Sequence, residues 1–197
     1  PGFQDDNDES SPGWLTARLA SNGQELWRKR LVMPPENGPV VGRLPGRSDP
    51  SVVQPCGYSG IGSSSAIYAF DALTGQEQWT FQGPKQEDSW QAGIEEGIFM
   101  RFTGHTSQPE LVTPPWSAPL IDARGTVYVG SQNGYLYALR DDDMDGKVEG
   151  AEEVTYTNTH ATTLGTSSPA IVPGMCLIAH ANNVFAIGLP DQVPLSA

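Results

Sequence analysis

The sequence predicts an all-β chain made of small repeated sheets that stack into an arc. Three observations predict it. Residues 16–27 and 68–79 align without a gap and share six of twelve positions, at an offset of 52 residues. The 197 residues include 22 Gly and 17 Pro, which punctuate short runs rich in β-branched and aromatic residues. Two of the five Trp, Trp27 and Trp79, stand at the same place in the repeat. A sheet of roughly 50 residues cannot bury both faces alone, so it stacks on copies of itself.

Taken in order, residues 1–12 read as an acidic tail and 13–190 as the repeating body, with a tail over 191–197. Repeats are expected over about 13–31, 51–81, 117–160 and 168–189. The first copy ends on Trp27, followed by the basic cluster Arg28, Lys29 and Arg30, which reads as a solvated strand end. Residues 34–54, rich in Pro and Gly, read as an excursion. In the second copy a strand over 67–71 meets a Leu73-Thr74-Gly75 turn, and a strand over 76–81 carries Trp79. Residues 82–115, with Trp90, Glu95 and Glu96, form a longer connection, and the apolar run 98–102 within it reads as a strand on a sheet edge or a partner-binding loop. In the third copy, Gln132-Asn133-Gly134 between two β-rich runs reads as a hairpin turn. A weaker fourth copy spans 168–187.

The spacing Ala-x5-Gly-x3-Trp occurs as Ala17/Gly23/Trp27 and Ala69/Gly75/Trp79. It resembles the tryptophan-docking motif of PQQ-like β-propeller repeats, found in quinoprotein dehydrogenases and outer-membrane assembly lipoproteins. Ser117-Ala118-Pro119 and Ser168-Pro169-Ala170 are similar to the openings of repeats in that family. The resemblance implies a β-propeller-like arc of about three to four PQQ-like blades with long inter-strand loops. The third and fourth copies lack the motif's Gly and Trp, so docking between those blades must be made differently. A closed ring needs at least four blades, so the arc is expected to be a piece of a longer protein or to be completed by a partner. The chain starts at Pro1, which fits either a mature start or a segment of something longer. The expected partner is a protein, bound at an open blade edge or on the long loops.

Charge is local. The chain carries 11 basic and 23 acidic residues, a net charge of −12. Residues 1–10 and 141–153 hold 11 of the acids, leaving 12 acids against 10 bases elsewhere. Scarcity of Lys and Arg argues against nucleic-acid binding, and no apolar run reaches a membrane span. Residues 141–152 fit the twelve-residue calcium loop. Asp141, Asp143 and Asp145 take positions 1, 3 and 5, and Gly146 allows the sharp turn. Lys147 offers its backbone carbonyl, Val148 anchors the loop, and Glu149 ligates directly or through water. Glu152 ends the set with two oxygens, with Glu153 as substitute. A strand rather than a helix leads in, and a short helical turn over 150–154 is expected to follow. Either the loop holds a structural calcium or it is a solvated acidic turn.

Catalytic signals are thin. Quinoprotein dehydrogenases, by the family resemblance, hold PQQ between a Trp and a disulfide of adjacent cysteines within an eight-bladed ring. No adjacent cysteine pair occurs, so PQQ is not expected here; Cys56 and Cys176 read either as two buried thiols or as a long-range disulfide. His105, His160 and His180 are isolated, and no nucleophile elbow or phosphate loop appears. The leading reading is a non-enzymatic scaffold or accessory subunit with a structural calcium loop. The alternatives are a fragment of a quinoprotein-type dehydrogenase, or an extrinsic lumenal subunit of a large membrane complex such as a photosystem. An extracytoplasmic site (periplasm, secretory space or organelle lumen) suits both the repeat type and a calcium loop.

Overall fold

The computed structural model describes residues 13–35, 37–58, 64–85, 114–161, 163–165, 167–180 and 183–188. Both expected tails, the apolar run 98–102 and His105 lie outside the described residues. The described chain forms four antiparallel sheets, each built from consecutive strands. The first pairs β1 (Trp14–Arg18) with β2 (Glu25–Arg30). The second runs β3 (Val40–Gly42), β4 (Ser51–Gly57), β5 (Ser65–Asp71), β6 (Glu77–Gln82). The third runs β7 (Leu120–Ile121), β8 (Val127–Gly130), β9 (Tyr135–Leu139), β10 (Val154–Asn158). The fourth joins β11 (Ala170–Val172), β12 (Met175–His180) and β13 (Asn183–Gly188). A single helical turn, α1 (Gly150–Glu153), precedes β10.

Three apolar clusters lie between successive sheets. Side chains alternate across a strand, and the middle sheets use both faces. Along β5, Ala66, Tyr68 and Phe70 face the cluster shared with Leu31 and Met33 near the first sheet. Ile67 and Ala69 face the cluster shared with Val127, Val129 and Leu139 of the third. Along β9, Tyr135, Tyr137 and Leu139 join that second cluster, while Leu136 and Ala138 join Cys176 and Ile178 of the fourth sheet. The apolar runs of β5 and β8 follow from this two-faced burial, and β4 is buried along its whole length as well, its Gln54 donating to the Asn37 and Pro55 carbonyls.

The segment 34–54 is not a plain excursion. It supplies β3, the edge strand of the second sheet, and the bridge from Pro35 to Cys56. Its Pro and Gly content masked a three-residue strand. Cys56 and Cys176 are buried thiols in different clusters and are not joined by a disulfide.

Between the first two sheets, the Trp27 indole N–H donates to the Ala72 carbonyl at 2.9 Å. A Cβ built on Gly75 would stand 2.7 Å from the Trp27 ring, and Gly75 has φ +71°. The turn therefore needs glycine twice, for its left-handed backbone and for the flat ring laid on it. Asp71 closes the same turn: its Oδ1 accepts from the Leu73 and Thr74 amides and the Thr74 hydroxyl. Arg28 lies over the Trp14 ring, and Lys29 reaches Glu77 of the second sheet at 3.8 Å.

Candidate metal centre

The acidic loop follows β9, where the third copy lacks the motif's glycine. It leaves β9 through Arg140 and returns through α1 into β10, so it is an expanded turn of the third sheet. Its middle pairs with β6 of the second sheet. The Thr80 amide donates to the Gly146 carbonyl at 3.1 Å, and the Val148 amide donates to the Thr80 carbonyl at 3.0 Å. Val148 is 3% exposed and packs in the cluster that buries Trp79. The loop is thus fixed on both sides of Lys147 to the neighbouring sheet.

Inside the loop the carboxylates organise the backbone. Asp143 Oδ1 accepts from the Asp145 amide at 3.0 Å, and Asp145 Oδ1 accepts from the Lys147 amide at 2.8 Å. Left-handed residues at Met144 (φ 61°) and Gly146 (φ 91°) curl the chain so that these groups converge. One carboxylate oxygen each from Asp141, Asp143 and Asp145 falls within 4.8 Å of the others. Glu149 and Glu152 stand outside that trio, and both border a hollow of about 420 Å³ that also touches Asp143, Asp145 and Glu153. The carboxylate folded over the loop belongs to Glu153. Its Oε1 accepts from the Asp142 and Asp143 amides, and its Oε2 accepts from the Glu149 amide.

Asp141 differs from its neighbours. It is 2% exposed, and neither carboxylate oxygen accepts a well-formed hydrogen bond. A buried carboxylate that is poorly hydrogen-bonded is costly. Burial pushes its carboxyl above the ordinary value, against the pull of the Met144 backbone amide and of the Arg47 guanidinium, whose Nη2 lies 3.5 Å from Oδ2. A hard divalent cation is the partner such a set of oxygens takes, because it prefers carboxylates and carbonyls over nitrogen or sulfur. Asp141, Asp143 and Asp145 would hold it, with Glu149, Glu152 or Glu153 in reach of the same hollow. Sequence spacing found the trio. Arg47 could not be found that way, since it sits on a turn of another sheet far along the chain.

No family model matches the chain, and no curated protein matches it. Among solved structures, the quinohemoprotein alcohol dehydrogenase of Comamonas testosteroni is 19% identical with a TM-score of 0.50. The match covers 89% of this chain and 31% of that one. Quinohemoprotein alcohol dehydrogenase ADHIIG of Pseudomonas putida HK5 is 18% identical with a TM-score of 0.53, over 89% of this chain and 30% of that one. The described residues form an arc of β-propeller blades. BamB of Moraxella catarrhalis is more distant, at 16% identity and a TM-score of 0.37, with 92% of this chain and 57% of that one covered. The chain spans about a third of the length of the two dehydrogenases. No described helix is long and apolar enough to cross a membrane.

Proposed function

We propose that this chain is a non-enzymatic, PQQ-like propeller segment that serves as a protein-binding scaffold or accessory subunit and carries one structural calcium. The observation that carries the metal is Asp141, buried with only the 3.5 Å ion pair to Arg47 to offset its charge and with one oxygen close to those of Asp143 and Asp145. The ion neutralises a loop whose like charges otherwise repel, and it stiffens the turn that joins the second and third sheets. Exposed apolar residues on the end sheets support the binding role: Trp14 and Leu26 on the first, Val172, Met175 and Val184 on the fourth.

Calcium titration by calorimetry, with terbium luminescence as a second readout, tests the site. One saturable ion per chain is expected, abolished by Asp141→Asn. A chain that binds neither ion refutes the calcium reading. The second reading is a segment of a quinoprotein-type dehydrogenase, favoured by the propeller overlap with two quinohemoprotein alcohol dehydrogenases. Dye reduction that depends on added PQQ would establish it in place of the scaffold.

A further inference from the structure

The calcium loop touches a second element besides β6. The turn after β3 carries Gly46 and Arg47, and both meet the loop. Gly46 has φ +64°, and a Cβ there would collide with the Met144 sulfur, so the Met144 side chain seats directly on the turn. Arg47, on the same turn, places Nη2 3.5 Å from Asp141 Oδ2, with its side chain 27% exposed and that of Asp141 2% exposed. This is the described ion pair that reaches Asp141, and it joins the second sheet to the third. A guanidinium here does not complete the site, because at 3.5 Å it makes no hydrogen bond to either Asp141 oxygen. It supplies charge without supplying ligation.

We infer that Arg47 is a built-in competitor for the cation, a residue that sets metal affinity by holding the charge of Asp141 when no ion is bound. The inference rests on the calcium reading above. Without metal, the guanidinium offsets a buried carboxylate and keeps the loop seated on the turn. When a divalent cation takes the same carboxylate, the two positive charges share one partner, and their repulsion weakens binding. The guanidinium is partly exposed and sits on a flexible stem, so it can swing toward solvent as the ion enters. Affinity is thereby tuned downward, in exchange for a metal-free loop that stays in place.

The test compares calcium binding to the whole chain carrying Arg47, Arg47→Lys or Arg47→Gln. Arg47→Gln is expected to bind calcium about fivefold tighter or more, the size appropriate to one partly screened unit charge leaving a cation site. Arg47→Lys, which keeps the charge, is expected to stay within about twofold of the parent chain. In chelator, Arg47→Gln is expected to melt below the parent, and in saturating calcium that gap is expected to close. Equal or weaker calcium binding by Arg47→Gln overturns the inference. If Arg47→Gln folds only with calcium present, its unfolding on chelation supports the inference, and failure to fold even in calcium overturns it. A parent chain that binds no calcium refutes the metal reading itself, which is a different result from unchanged affinity in the variant.

Discussion

Gly75→Ala offers a direct measure of how much one stacked ring contributes to holding two blades together. Gly75 and Gly23 occupy the same place in their repeats and have nearly the same backbone, φ +71° and φ +74°. A Cβ at Gly75 would stand 2.7 and 2.8 Å from Trp27 ring carbons, whereas a Cβ at Gly23 would meet nothing within 4 Å. Alanine in the left-handed region costs about 1–2 kcal/mol at either position. Forcing a methyl into the packed ring adds about 1–3 kcal/mol at Gly75 alone. The ring is anchored by its bond to the Ala72 carbonyl and cannot slide away without losing it. Gly75→Ala is therefore expected to destabilise by about 2–5 kcal/mol and Gly23→Ala by about 1–2 kcal/mol. Urea unfolding followed by tryptophan fluorescence measures both. Equal losses in the two variants would refute the argument, because they would mean that backbone strain is the whole effect and the docked ring contributes nothing.

Trp27→Phe, which keeps an aromatic ring but a smaller one and removes the indole N–H, is expected to cost about 1 kcal/mol more than its lost area explains, read in the same urea assay. Asp71→Ala is expected to destabilise by about 1 kcal/mol, since three donors lose their shared acceptor. Hydrogen bonds hold the Asp71 carboxyl below its ordinary value of 3.8. Its contribution is thus present above that pH and lost as pH falls through the folded-state value, so the Asp71→Ala penalty should shrink in acid. Cys176 works in the opposite direction: burial pushes its thiol from 9.0 up to about 11. The unfolded chain releases that proton first, so stability falls as pH rises above about 9, and Cys176→Ala should flatten the alkaline limb of a melting-temperature profile. Thiol alkylation at pH 8 should be slow for both Cys56 and Cys176 until the chain unfolds, and rapid labelling of the folded protein would contradict their burial.

Much of this was legible in the sequence because repetition is a pattern that survives without coordinates. The shared Gly and Trp of the two strong copies marked the turn and the ring, and Asn133-Gly134 marked the β8–β9 turn. The strand Val40–Gly42 was hidden because three residues among prolines show no periodicity. The acidic spacing brought out Asp141, Asp143 and Asp145, since a twelve-residue loop is local. What the loop does to its surroundings was not legible. The Thr80 pairing and the Arg47 contact are long-range, and a single chain without aligned relatives carries no trace of them. Glu153 rather than Glu152 caps the loop amides because the α1 turn rotates successive side chains apart, a detail of geometry that spacing alone does not reveal.

The alternation of side chains between two different cores has a consequence for how damage spreads. Each middle strand behaves like a shared wall: Phe70 and Ile67, three residues apart, belong to separate rooms. A cavity cut on one side of the wall loosens one junction and leaves the next intact, so failure proceeds neighbour by neighbour. Fraying should then begin at the outer sheets and move inward, and the amides of β5 and β9 should be the last to exchange with solvent.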